Sequence, residues 1–209
     1  MKEKKLSFLE IIWIYTIGCV LGYVIETMFY LIKYHNYVNK QGLIIGPFKP
    51  IYGIGAIILS ITYYMIKKKS YIKIFISGVL LGSIFEYLAS LVLEYIFNSY
   101  IWDYSSFSFN INGRVYLPYM ILWGILSIIW VKMIYIPFKN FFDKTISKTI
   151  VKALSIFLAV FILFDTTITG IVLFRQGHRQ QTNKIFRIID NIYSEEKIIK
   201  KFPKFRSIH

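Results

Sequence analysis

Five apolar stretches alternate along the chain with short polar connections, most of them basic. Residues 8–32, 51–66, 72–97, 118–138 and 149–174 are rich in Ile, Leu, Val and Phe and carry few charges. A helix needs about 20 mostly apolar residues to cross the hydrocarbon core of a bilayer. Four of the stretches reach that length, and 51–66 falls short. The pattern predicts an all-α membrane protein, a polytopic bundle of about five transmembrane helices. Ahead of the short stretch stands Gly46-Pro47-Phe48-Lys49-Pro50-Ile51-Tyr52-Gly53. Its prolines lack an N–H and disfavour helix before them, and Gly46, Gly53 and Gly55 permit bends and close approach. If this segment re-enters the membrane it belongs to a site, because non-helical backbone at that depth persists only inside protein or against a water-filled cavity. If it stays outside, it is a turn that caps the second span. No internal repeat, low-complexity linker or soluble domain is evident. Residues 1–175 therefore read as one transmembrane helical domain and 176–209 as a basic tail. In that tail Ile185, Ile188, Ile189 and Ile192 fall at helical spacing, which suits either an amphipathic helix on the membrane surface or a packed helix.

Composition agrees with the pattern. Of 209 residues, 56% are hydrophobic, and the mean hydropathy is +0.54. The net charge of +14 sits at the ends of the stretches and in the tail, where it holds topology and meets anionic lipid. The expected partner is the lipid bilayer, with no nucleic acid. With the N-terminus cytoplasmic, the inner side carries Lys2, Lys4, Lys5, the lysines from Lys67 to Lys73, and Lys139, Lys144, Lys148 and Lys152. The outer side carries Lys33, Lys40, Lys49, Arg114 and the tail. Weighting residues close to the spans favours this orientation, in a bacterial cytoplasmic membrane. The first stretch is too long for a cleavable signal and lacks a small-residue exit, so it reads as a retained helix. The lone Cys19 makes neither a disulfide nor a metal cluster. His35, His178 and His209 lie outside the stretches. There is no phosphate-binding loop, no H-E-x-x-H and no G-x-S-x-G. Neither a metal nor a cofactor is expected, and no ATPase or nucleophile motif points to an enzyme.

Carboxylates inside apolar stretches are the strongest chemical signal. Glu26, Glu86 and Asp165 lie within the first, third and fifth, and Glu94 near the end of the third. A charge at a helix centre costs about 2.5–3.5 kcal/mol, against about 0.3–0.6 kcal/mol gained by a good apolar residue. Such groups face the bundle interior, pair with one another, or line a pathway. Gly18, Gly22 and Glu26 recur every four residues, as do Gly78, Gly82, Glu86, Ser90 and Glu94. Residues four apart share a helix face, and small ones let helices approach closely. The expectation is that the first and third spans pack through Gly18, Gly22, Gly78 and Gly82 and bring Glu26 and Glu86 into one polar site. The loop after the third span holds Trp102-Asp103-Tyr104-Ser105, Asn110 and Gly113-Arg114. Its aromatics suit a membrane interface, and Asp103 and Arg114 are spaced to pair. Where Lys is the default cation, an Arg suggests planar contact with a carboxylate or phosphate, here Asp103, Glu86, Glu94 or an anionic ligand. The candidate substrate- or ion-pathway residues are thus Glu26, Glu86, Glu94, Asp103, Arg114 and Asp165. Gly46, Pro47, Pro50, Tyr52, Gly53, Trp102, Tyr104 and Ser105 would shape the site.

As an ordered set these residues resemble the bacterial family of putative ABC-transporter type IV proteins, or putative ABC transporter permeases. The similarity runs from about Trp13 to Arg175. It rests on Leu21-Gly22-Tyr23 with Glu26, Gly42-Leu43 with Gly46-Pro47-Phe48, Pro50-Ile51-Tyr52-Gly53-Ile54-Gly55, Glu86-Tyr87 with Ser90 and Glu94, Trp102-Asp103-Tyr104-Ser105, Asn110 with Gly113-Arg114, and Trp123-Gly124. The chain departs from the family at Lys40-Gln41-Gly42, where Arg and Gly are usual, and at Ile101, where a second Trp is usual. The resemblance implies a small polytopic membrane protein. An ABC permease would further imply a separate ATPase chain or other membrane subunit, engaged by a cytoplasmic segment, for which residues 138–152 are the candidate.

Three function classes follow. A transport component would use Glu26, Glu86 and Asp165 along a route. A membrane-embedded enzyme acting on a lipid or lipid-linked substrate would use Asp103, Arg114 and Glu86. A structural or regulatory membrane subunit would use its acids only for packing.

Overall fold

The computed structural model describes residues 6–66, 70–100, 102–178, 183–202 and 206–207. Lys2, Lys4, Lys5 and Lys67–Lys69, on which part of the orientation argument rests, lie outside them. Five apolar helices make the body: α1 (Phe8–Tyr34), α2 (Pro50–Met65), α3 (Tyr71–Phe97), the rod α4–π–α5 (Leu117–Thr145) and α6 (Thr149–Gly177). Four are long and apolar enough to cross a membrane, and α2 is the shorter one. The protein is an all-α polytopic membrane bundle.

Local chemistry sets the ends. Ser7 caps α1 by accepting the Glu10 N–H at 3.2 Å, while the Glu10 carboxylate reaches back to the Ser7 N–H at 3.5 Å. This reciprocal arrangement satisfies two otherwise orphan donors. α1 and α3 end on His35 and Asn98 in the left-handed region, with φ 51° and 47°. The fourth rod runs seven residues past its expected end, as α4 (Leu117–Ile129), a π-helical turn (Trp130–Tyr135) and α5 (Ile136–Thr145). Pro137 has no N–H to offer the carbonyl four residues back, and its ring crowds that carbonyl. The helix widens just ahead of it, and the Ile136 N–H bonds the Val131 carbonyl, five residues back.

The glycine seams find partners other than those expected. Gly18 and Gly22 face α2, not α3, and Gly78 and Gly82 face α4. α1 packs chiefly on α2 and α3 on α4, so each seam meets the helix that follows it in the chain, as consecutive elements commonly do, while α6 lies against α1 and α3. The two pairs are also built alike, which corrects the reading of no internal repeat. Gly18 lies against Ala56 and the Tyr52 carbonyl, and Gly78 against Ser127 and the Trp123 carbonyl. Gly22 seats the Tyr52 ring, and Gly82 the Trp123 ring. Gly53 lies against Tyr15 and Cys19, and Gly124 against Phe75 and Val79. In sequence, Gly18, Gly22 and Glu26 recur as Gly78, Gly82 and Glu86, and Ile51-Tyr52-Gly53-Ile54 recurs as Leu122-Trp123-Gly124-Ile125. α1–α2 and α3–α4 are two copies of one unit, inserted in the same direction.

This register sets the height of the connections. Tyr52 lies beside Gly22, about 18 Å below the end of α1 at a rise of 1.5 Å per residue. The chain from residue 35 therefore descends beside α1 before α2 begins. The second unit repeats this: residues 98–116 descend beside the last turns of α3, through a hairpin of β2 (Asn110–Ile111) and β3 (Val115–Tyr116). The main core, with Ile14, Leu59, Ile74, Trp130, Val131 and Tyr135, fills the other half of the bundle. Large apolar side chains such as Leu80, Phe157, Val160 and Leu163 point outward, as lipid-facing residues do. The tail folds back over the bundle as α7 (Lys184–Ile192) and α8 (Glu195–Lys201), then β4 (Arg206–Ser207), which pairs with β1 (Ser99–Tyr100).

Candidate functional site

The Gly-Pro segment lies at mid-height, packed between α1 and α6. Its backbone bonds can be followed one by one. The Gly42 and Leu43 N–H groups donate to the Phe48 carbonyl at 2.8 and 3.2 Å, and the Lys49 N–H donates to the Cys19 carbonyl at 3.2 Å. The Ile44 N–H donates to Thr169 Oγ1 at 2.9 Å, and the Ile45 N–H to both Asp165 carboxylate oxygens at 3.0 and 3.2 Å. Gly46 takes φ 75°, a conformation that a side chain would strain. Leu43 and Phe48 bury themselves against Cys19, Tyr15 and Phe161. Asp165, fully buried at the middle of α6, is thus a clamp on this segment. A buried carboxylate needs donors, and two come from the irregular backbone and the Thr169 hydroxyl, at 3.4 Å.

Glu26 forms an ion pair with Lys49, the residue that caps α2. The same ammonium lies 5.7 Å from the centre of the Tyr52 ring. Lys40, also in the segment, is buried over the Tyr30 ring at 3.4 Å. Glu86 occupies the corresponding place in the second unit. It accepts the Trp123 Nε1–H at 2.9 Å and the Tyr104 hydroxyl at 3.2 Å. The two glutamates are linked through the rings below them, since Tyr52 and Trp123 are 6.4 Å apart. Gly22 and Gly82 do not meet, because each seats a ring of the helix that follows it, and the two glutamates keep separate partners.

The Trp102-to-Arg114 loop closes this region from above. Tyr104 N–H donates to the Gly113 carbonyl at 2.7 Å, and Trp102 Nε1–H to the Arg114 carbonyl at 3.0 Å. Asp103 accepts the Ser105 N–H at 2.9 Å. Gly113, at φ 67°, passes so close to the Asp103 carboxylate that a Cβ would collide with it. Arg114 resolves its alternatives by pairing with Glu94 and donating to Ser90 Oγ at 3.0 Å. Burial, and then the Glu86 charge, push the Tyr104 phenol far above the usual phenol range. It therefore stays neutral and able to donate.

A second polar cluster lies at the opposite end. Glu10, 2% exposed, accepts the Tyr135 hydroxyl at 3.0 Å and the Lys139 ammonium at 3.4 Å. Neither this cluster nor Lys49 carries a distinctive sequence signal. Glu10 reads as a helix cap and Lys49 as one of many loop cations. Only the fold brings them to their partners.

The family model described as Putative ABC-transporter type IV matches residues 13–170. No curated protein and no solved structure matches the chain.

Proposed function

The chain belongs to this ABC-transporter-type family of membrane proteins, and from that premise we propose that it is a transport component. In this reading its route runs past Glu26, Glu86 and Asp165, through the half of the bundle where the Gly-Pro segment and the Trp102-to-Arg114 loop descend. One observation carries the proposal: α2 is a short helix whose first turn lies beside the middle of α1, with irregular backbone clamped by Asp165 at the same height. Transporters place their sites at mid-membrane, at the interface of repeats, where broken helices expose backbone groups and charged side chains. Backbone of this kind is costly in lipid unless protein or a water-filled cavity surrounds it.

The protein in this reading sits in a bacterial cytoplasmic membrane with its N-terminus inside. Thr145–Thr149, with Lys148 within it and Lys144 and Lys152 beside it, then faces the cytoplasm and offers a contact for a separate ATPase chain. α5 shortens the loop expected there and leaves only residues 146–148 between helices. Affinity purification from native membranes in mild detergent tests the partnership. Recovery of a nucleotide-binding chain, with ATP hydrolysis that rises on co-reconstitution, is the expected result. Repeated recovery of the protein alone would overturn the ATP-driven reading.

A further inference from the structure

The internal duplication makes Glu26 and Glu86 the same residue in two copies of one unit. What differs is the set of groups that meets each carboxylate. In the first copy, Glu26 holds the Lys49 ammonium, and that ammonium sits over the Tyr52 ring. In the second copy, Trp123 replaces Tyr52, and its indole is seated on Gly82 as Tyr52 is on Gly22. The position that aligns with Lys49 is Met120. Among the described residues no cation pairs with Glu86, and its donors are the neutral Trp123 and Tyr104. Glu10, Glu26 and Glu94 each hold a Lys or Arg.

Glu86 is 7% exposed. Neutral hydrogen bonds offset part of the cost of burying an ionised carboxylate, but an opposite charge is the usual remedy. The rings around it are suited to supply the rest. Trp123 packs edge-on to Phe85 with centroids 6.3 Å apart, and Tyr104 lies 5.2 Å from Tyr119. Trp123 meets the carboxylate through its N–H edge, whereas the Tyr104 ring, with Tyr116 and Tyr119 clustered on it, stands beside the other oxygen, and aromatic rings next to a carboxylate suit an ammonium ion. Tyr104 lies on a loop, so its hydroxyl can give way without moving a helix.

We propose that the Glu86 half-site binds a primary-ammonium cation, seated on the Glu86 carboxylate oxygen that the Tyr104 hydroxyl now occupies while Trp123 keeps its bond to the other oxygen, for which the Lys49 side chain is the built-in counterpart at Glu26. This inference names the substrate class of the transport route above and rests on that reading for its biological role, though binding can be measured without it.

The test is saturation binding of radiolabelled n-butylammonium, which copies the end of a lysine side chain, to the purified full chain in lipid nanodiscs. The salt control is sodium chloride at equal ionic strength. The expected result is one saturable site per chain, weakened on the order of tenfold or more by Glu86→Gln and retained by Glu86→Asp. Lys49→Met, which makes the first copy resemble the second, should free Glu26 and raise the plateau towards two per chain. This arm stays informative where Glu86→Gln fails to fold. No saturable binding, equal displacement by sodium, or binding unchanged in Glu86→Gln overturns the proposal, as does an unchanged plateau in well-folded Lys49→Met. Flux of labelled n-butylammonium into proteoliposomes separates the two readings. Glu86-dependent binding without flux supports the site and counts against transport. Flux that is indifferent to Glu86→Gln supports transport and overturns the site.

Discussion

The tail is held to the bundle by a contact whose strength can be worked out and tested. Arg175, at the end of α6, is 3% exposed. It donates twice to Asp190 on α7, from Nε to Oδ1 at 3.0 Å and from an Nη to Oδ2 at 2.8 Å. Its guanidinium also lies 4.8 Å from the Phe186 ring centre. Hydrogen bonds to charged groups contribute about 1.5–3 kcal/mol. The Asp190 side chain is 27% exposed, so water screens part of this, and about 1–2 kcal/mol is a fair discounted figure. Asp190→Asn keeps the shape and removes the charge. It should shift the docking equilibrium of α7 by about 5- to 30-fold. Ile198→Asn, which places an amide among Val172 and Leu173, should do more, because a fully buried isoleucine is worth about 1.5–3 kcal/mol and the amide adds a desolvation cost. The assay is hydrogen exchange by mass spectrometry on the chain in nanodiscs. Amides of 184–201 should exchange faster in both variants while α1–α4 stay as in the parent. Exchange of 184–192 within a factor of about two of the parent would refute the ion pair as the anchor.

Other consequences follow from particular contacts. Gly22→Ala and Gly82→Ala drive a methyl into the Tyr52 and Trp123 rings and should each cost about 1–3 kcal/mol. Gly170→Ala meets nothing within 4 Å and should raise stability by about 0.4–1 kcal/mol; thermal unfolding in detergent ranks the three. Tyr135→Phe leaves the buried Glu10 short of a donor and should cost about 1–3 kcal/mol, seen as a lower unfolding midpoint. Pro137→Ala improves helix propensity but lets the π turn relax to α geometry, which rotates Tyr135 and Lys139 away from Glu10; a lower midpoint is expected, and a higher one would show that the π turn does no positioning. For Tyr104, a phenol raised on folding contributes fully below the ordinary value of about 10 and loses its contribution as the pH climbs past it. Cleavage of the loop by trypsin at Arg114 should therefore stay flat from neutral pH up to about 9 and rise only beyond.

The apolar runs were enough to place every long helix to within three residues at its start and, except for the fourth, its end. Bilayer-length apolar stretches leave few alternatives, because backbone polar groups in lipid must be satisfied within the helix. The periodic glycines likewise announced close helix contacts. Pattern alone could not say which helix meets which glycine, since a seam specifies closeness and not a partner. Nor could it show that the two seams belong to two copies of one unit: the shared residues are few, and their equivalence lies in contacts between helices. The mid-height position of the Gly-Pro segment depends on the Gly22–Tyr52 register, and the pairings of Arg114 with Glu94 and Lys49 with Glu26 depend on where the descending loops end. These are distances between segments far apart in the chain, decided when the helices pack and each buried charge has to find its counterpart.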